Sequence, residues 1–277
     1  MGGLHMDKQI PITVINLKKD TDRKDSITQQ LNGLNLEFSF FEGVYGKELS
    51  SKELTAVYNP EHSIEKGVGV LSKGEIGATL SHFGIYQKML DDDIDEMIIF
   101  EDDTIIGHDF VQALDIVKHL PENWEIFLLG YSSGRKKPCN FNINLKNNQT
   151  PYSVGVSPII RGGAFCYVIN KRGAQRMLSY KKSLYKVIDI YTGDSNMVNV
   201  YTISPRVAAL GDDFESSVED RKPFYIPKWK RKKVIKVIRD FNNNRRKKRK
   251  EKDGFSTSCI LRKIKYRVKH GFKEFYD

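Results

Sequence analysis

The chain has 277 residues, 39% hydrophobic and 11% aromatic, enough for one large domain or one domain with an appendage. No run of about 18 apolar residues occurs, so no transmembrane helix is expected. The apolar run 10–17 is short and broken by Pro11 and Asn16, unlike a signal peptide. Cys139, Cys166 and Cys259 are odd in number and lack metal-ligand spacing, which argues against a disulfide framework and for a reducing compartment. The formal charge of +10 is unevenly spread: residues 221–277 hold 22 Lys/Arg against 5 Asp/Glu, or +17, leaving −7 for residues 1–220. A mildly acidic domain over 10–222 is therefore expected to carry a basic tail over 223–277, with Pro223 and Pro227 at the boundary. Residues 1–9 are read as a disordered or added start outside the fold.

In chain order, residues 10–17 are expected as a first strand, rich in Ile and Val. Asp20 then stands where it can cap a helix running to about Leu31. A strand entering a helix N-terminus is a recurrent phosphate site, because backbone N–H groups point outward there, but no Gly-rich fingerprint accompanies this one. A second strand is expected over 37–44, with Gly43 and Gly46 in the following turn, and residues 48–72 read as irregular. Lys73 opens a helix to about Leu90, whose small residues Gly77, Ala78, Ser81 and Gly84 suit close packing against a sheet or a nucleotide. His82 on that helix reads as a satisfied core histidine, and Asp91-Asp92-Asp93 as a solvated loop.

Residues 96–103 organise the rest of the chain. The apolar run Met97 to Phe100 reads as a buried strand of a parallel-type sheet, and it ends in Glu101-Asp102-Asp103. Ligands of open α/β sheets collect at the carboxyl ends of strands. Three adjacent acids repel one another, and a hard divalent cation relieves that repulsion. The competing reading is a solvated acidic turn before a helix near His108. A helix over 110–120, a strand over 124–129 and a long loop over 131–156 come next, the loop of a length that usually lines a binding site or is mobile. Gly162-Gly163 lead into a strand ending near Ile169, and a helix covers 171–178. Strand and helix alternate, as in a mostly parallel α/β sheet. Asp189 sits between Ile188 and Ile190-Tyr191, where partial desolvation would suit a general base; it is equally placed to cap a helix over 190–198.

Several of these pieces fall in the order of a known family. Val14-Ile15-Asn16-Leu17 with Asp22-Arg23, Phe40-Phe41-Glu42-Gly43, Leu71 to Gly77 with Leu80-Ser81-His82, Phe100 to Asp103, Gly163 to Ala174 and Ile188-Asp189 together resemble the family 25 glycosyltransferases, over roughly residues 10–220. That family includes bacterial lipooligosaccharide galactosyltransferases, and the basic tail resembles its neisserial-type members.

The resemblance implies a single α/β domain of the GT-A type with a mostly parallel central sheet flanked by helices, here followed by a basic helical tail. It implies an inverting transfer of a hexose, galactose first, from a UDP-sugar to a saccharide acceptor of lipooligosaccharide or lipopolysaccharide. Glu101-Asp102-Asp103 then matches the family's DxD-like motif, with Asp103 and Glu101 as ligands of Mn²⁺ or Mg²⁺. In several GT-A enzymes a C-terminal His completes the metal shell; the corresponding region here offers Asp212 and Asp213, and Asp212 is the expected third ligand. Asn16, Leu17, Arg23, Lys73, Glu75, Gly77, Ser81 and Asp102 are expected at the donor nucleotide. Asp189 falls on the family's acid after Pro-Val, a pair replaced here by Val187-Ile188, and is expected as the base, with Asp194 next.

Two other classes use the same features. A metal-dependent phosphoryl or nucleotidyl transferase would use the same acids with Lys73 or Arg161 at the phosphates. A nucleic-acid binding protein would use Arg245 to Lys250, but the tail holds no recognisable nucleic-acid motif, and no nucleic-acid partner is expected. Instead, the apolar positions Val234, Ile235, Val237, Ile238 and Phe241 fall at helical spacing among Lys and Arg. So do Ile260, Leu261, Ile264, Val268, Phe272 and Phe275. Such helices lie on anionic membranes. With the resemblance, this implies the bacterial cytoplasm, at the cytoplasmic face of the inner membrane and near a lipid-linked acceptor, as the expected location.

Overall fold

A computed structural model describes residues 9–131, 152–156 and 162–211. Arg161, Asp212, Asp213, the basic tail and most of the 131–156 loop lie outside these residues. The described residues of 1–45, 77–181 and 188–215 form one compact unit, and those of 46–76 and 182–187 a second.

The first unit is built on a seven-stranded sheet. It joins β1 (Ile12–Asn16), β2 (Ser39–Glu42), β3 (Glu96–Glu101), β5 (Ile126–Leu128), β6 (Ser153–Gly155), β7 (Cys166–Asn170) and β8 (Val200–Ser204), in the order β2-β1-β3-β7-β5-β8-β6. β1, β2, β3, β5 and β8 run one way and β6 and β7 the other, so the sheet is mixed but mostly parallel, as expected. Every residue of β1 and β7 is buried, which is why both are rich in Ile and Val. A separate ribbon pairs β4 (Thr104–Ile106) with β9 (Ala208–Leu210).

Alternation along the strands sorts side chains to two faces. Ile12, Val14, Ile98 and Phe100 pack with Ile27 and Leu31 of α1 (Thr21–Gly33) and with Phe110 and Ala113 of α5 (Phe110–Leu114). The opposite face meets α4 (Lys73–Asp91), where Tyr86 bonds Tyr167 of β7 and Phe83 lies against Tyr191 of α7 (Ile188–Gly193). α4 approaches closely at Gly84, where an added Cβ would come within 2.6 Å of the Phe41 ring. The helix expected over 110–120 relaxes after Leu114 into a 3₁₀ turn over Asp115–His119. α6 (Lys171–Leu178) matches its expected bounds, capped by the Asn170 side chain, which accepts the Gly173 N–H at 2.9 Å.

The second unit corrects one expectation. Residues 48–72, read as irregular, contain α2 (Ser51–Val57) and α3 (Pro60–Glu65). Both have local causes. Ser50 and Glu53 form a reciprocal capping box, and Asn59 caps α3 ahead of Pro60, whose fixed φ suits a first helical position. Tyr58 bridges to Leu184, and its hydroxyl accepts the Leu71 N–H at 2.8 Å. Gly46 is needed here because a Cβ would fall 1.8 Å from the Lys73 carbonyl oxygen.

Candidate active site

The acids sit in the tight turn between β3 and β4. Thr104 fastens this turn: its hydroxyl lies 2.7 Å from the Glu101 carbonyl oxygen and 2.8 Å from that of Phe165. Because consecutive strand residues face opposite ways, Glu101 and Asp102 diverge. Glu101 turns toward α4, where His82 Nε2 meets Oε1 at 3.1 Å. Asp102 turns toward α1, where the Arg23 guanidinium donates to Oδ1 at 3.1 Å and Asn16 Nδ2 donates to Oδ2 at 2.8 Å. Arg23 also reaches Asp103 Oδ2 at 3.4 Å. Asp103 Oδ1 is buried and finds no hydrogen-bond partner among the described residues.

These acids are not a solvated turn. Asp102 is 8% exposed, and the side chains of Asp103 and Glu101 are 23% and 29% exposed. Burial pushes the Asp103 carboxyl up to about 7, with the Glu101 charge adding to the shift and Arg23 opposing it. Glu101 is raised too, first by burial and then by the charges of Asp189 and Asp102. Asp102 rises less freely: burial lifts it, while Asn16 and Arg23 hold it down. Burial drives His82 down to about 3, so its imidazole is neutral. A buried carboxylate oxygen without a donor, beside a second carboxylate that resists ionisation, is a donor set suited to a hard cation. Among the described residues no group of three or more His, Cys, Asp or Glu is placed to hold a metal ion. Two carboxylates are nonetheless the usual protein share for Mg²⁺, whose remaining ligands are water and substrate phosphates.

The other expected residues divide. Asn16 and Arg23 are buried and committed to the acids, so they shape the cluster through Asp102. Asp20 stands at the N-cap of α1 without a side-chain cap bond; instead its carbonyl oxygen accepts from Asn16 Nδ2 at 2.9 Å. Leu17 packs beside Gly43, and Ser81 accepts the Val44 N–H at 2.8 Å while donating to the Gly77 carbonyl oxygen at 2.8 Å. Lys73 and Glu75 belong to the second unit. Lys73 Nζ donates to the carbonyl oxygens of Leu49 and Lys47, and Glu75 caps α4 reciprocally with Ser72.

Asp189 corrects another expectation. It is exposed, not desolvated, and lies inside α7, which starts at Ile188 and so is not capped by it. Helical periodicity is the reason: Ile188, Tyr191 and Thr192 share the buried face and turn Asp189 outward. The Ala164 N–H donates to Asp189 Oδ1 at 3.1 Å, and the charge of Asp189 is felt by both Glu101 and His82. The neighbouring Gly163 has φ +151°, and a Cβ there would come within 2.7 Å of Tyr131 Cα. Asp194 is buried at 4% exposure, its carboxylate taking the Asn196 backbone N–H and side-chain amide.

Sequence reasoning misses one residue of the site. His82 is buried, as expected of a core histidine, but it joins Glu101 to the hydroxyl of Tyr167 at 2.8 Å. The i,i+4 spacing of His82 and Tyr86 is visible in the sequence; their meeting with Tyr167 depends on the β3–β7 register, which pairs Ile99 with Tyr167.

A mixed α/β sheet with carboxylates clustered at the carboxyl end of a central strand has its candidate site where ligands of open α/β sheets bind. The chain belongs to glycosyltransferase family 25: residues 9–192 match the family described as "Glycosyltransferase family 25 (LPS biosynthesis protein)". It is 27% identical over 176 residues to human procollagen galactosyltransferase 2, covering 60% of this chain and 27% of that protein. It is 28% identical over 186 residues to a glycosyltransferase 25 family member of Drosophila melanogaster, covering 65% and 29%. The chain thus spans less than a third of the length of these relatives. A solved glycosyltransferase involved in glycosylation of the major capsid of PBCV-1 aligns with 61% of this chain and 62% of its own at 10% identity, with a TM-score of 0.30, too low to bear on the fold.

Proposed function

We propose that the protein transfers a hexose, galactose first, from a UDP-sugar to a saccharide acceptor of lipooligosaccharide or lipopolysaccharide, with inversion and with Mn²⁺ or Mg²⁺. The observation that carries this reading is the buried Asp103 Oδ1, without a partner among the described residues, beside Glu101, whose carboxyl burial pushes up. The family description and the galactosyltransferase names of relatives support the substrate classes. Glu101 and Asp103 would hold the cation, with Asp212 as the third protein ligand. When bound, the cation supplies Lewis-acid neutralisation of the leaving diphosphate.

The chain's own residues do the rest. Arg23 and Asn16 fix Asp102 and so the turn that presents Asp103 and Glu101 toward the donor nucleotide. Asp189, steadied by the Ala164 N–H, takes the proton of the acceptor hydroxyl. The acceptor oxygen bonds the anomeric carbon as the carbon–oxygen bond to the diphosphate breaks, and UDP leaves with that electron pair. Asp194 is the alternative base, though its commitment to Asn196 favours Asp189. Among the described residues no helix is long and apolar enough to cross a membrane. The basic residues 223–277 would instead bring the domain to the anionic cytoplasmic face of the bacterial inner membrane, beside a lipid-linked acceptor.

A donor screen with UDP-Gal, UDP-Glc, UDP-GlcNAc and UDP-GalNAc, reading UDP release, tests this. One donor should be preferred, with release dependent on Mn²⁺. Release undiminished in EDTA would remove the metal, and release from none of the four would remove the UDP-sugar.

A further inference from the structure

The catalytic reading leaves a buried polar chain unused. Tyr86, Tyr167 and His82 are each close to completely buried, and they run in line to Glu101. The Tyr86 and Tyr167 hydroxyls are 2.5 Å apart, Tyr167 Oη is 2.8 Å from His82 Nδ1, and His82 Nε2 is 3.1 Å from Glu101 Oε1. Three buried polar groups in a sheet–helix interface are costly unless all are satisfied, and an apolar interior would serve packing as well. Their placement is specific. His82 and Tyr86 lie one turn apart on the face of α4 that meets β7, and Tyr167 lies opposite Ile99, on the face that Glu101 shares two residues on.

We propose that His82 is a positioning residue for Glu101, held as the Nε2–H tautomer by Tyr167 and Tyr86 so that the Glu101 carboxylate is aimed for a divalent cation. A neutral imidazole has one donor and one acceptor. With Glu101 ionised, only one arrangement satisfies the chain: Nε2–H donates to Glu101, Tyr167 donates to Nδ1, and Tyr86 donates to Tyr167. Every proton then points toward the carboxylate. Hydrogen bonds behind a ligating carboxylate fix its orientation, and their loss typically costs about 10- to 100-fold in metal affinity. The inference rests on Glu101 being a cation ligand and adds what holds it.

The two amide replacements separate the two faces of the ring. The amide nitrogen of His82→Gln can stand in for Nε2 and keep the Glu101 bond; that of His82→Asn stands in for Nδ1 and abandons it. Mn²⁺ affinity of the full chain, from free-Mn²⁺ EPR at pH 8, is compared for both variants and for Glu101→Gln, with thermal melting alongside. Expected are a loss of about tenfold or more for His82→Asn, affinity within about threefold of wild type for His82→Gln, and a loss for Glu101→Gln. Side-chain ¹⁵N NMR of the Mg²⁺-loaded protein should show His82 protonated at Nε2 and bare at Nδ1.

Loss in Glu101→Gln with wild-type affinity in His82→Asn would overturn the positioning role and leave the metal site standing. Equal losses in both His82 variants, following their melting temperatures, would make His82 a packing residue only. An Nδ1–H tautomer would also overturn it. No Mn²⁺ binding by the wild type would overturn the metal reading, and this inference with it.

Discussion

Replacing Asp103 by Asn should stabilise the metal-free protein at alkaline pH while abolishing transfer. The folded protein raises this carboxyl from 3.8 to about 7, mainly by burial. A carboxyl with a raised folded value binds its proton more tightly when folded than unfolded. Its ionisation therefore costs stability, progressively as pH rises from about 4 to about 7. A shift of about 3 units corresponds to about 4 kcal/mol at pH 8 as a ceiling, and to less than about 1 kcal/mol at pH 4. Asparagine keeps the shape and drops the charge, but it weakens the contact with Arg23, so a net gain of about 2 kcal/mol at pH 8 is the expected size. Urea unfolding of both proteins in EDTA at pH 5 and pH 8 gives the difference, and UDP release gives the activity. An Asp103→Asn variant less stable than wild type at pH 8, or one whose advantage does not shrink toward pH 5, would refute the assignment of a buried acid that resists ionisation. Transfer at the wild-type rate would refute its role.

Asp189→Asn should lower kcat by about 10²-fold or more with UDP binding largely intact, as expected for loss of a general base; near-normal kcat with weakened UDP affinity would move Asp189 to the donor site. The full chain should sediment with anionic liposomes in a salt-sensitive way and a truncation after Tyr225 should not, since each Lys or Arg near such a surface contributes about 1 kcal/mol. That truncation should keep activity on a soluble acceptor and lose it on a membrane-bound one; equal sedimentation of both forms would remove the membrane role.

The strand that carries the acids is legible in the sequence because burial on both faces leaves an unbroken apolar run, Met97 to Phe100, with a sharp polar end. α4 and α6 are legible for a similar reason, being long or well capped. The helices of 51–65 are marked by Ser50-x-x-Glu53 and Asn59-Pro60, local signals outweighed by a short, polar composition. Asp189 is misplaced when judged by its apolar neighbours in sequence, because neighbours in a helix point to different sides. Ile188 and Tyr191 are buried because they are three apart, and Asp189 is exposed for the same reason.

What the sequence could not carry is which partner each acid takes. Glu101, Asp102 and Asp103 look equivalent as a run of three, and as a run they suggest one shared role. The pleat separates them. Asp102 is bound to Arg23 and Asn16 on the α1 side, which commits its charge inside the protein. Glu101, on the α4 side, meets a neutral imidazole, which can orient a carboxylate without neutralising it. Asp103, past the end of the strand, keeps one buried oxygen without a donor among the described residues. Burial opposes the ionisation of Glu101 and Asp103 most, with Arg23 offsetting only part of it, so under the proposed reading the arrangement that costs the fold stability is the one that would favour a cation. The pleat therefore sends Asp102 to the α1 side and Glu101 to the α4 side, a division that a run of three acids in the sequence does not display.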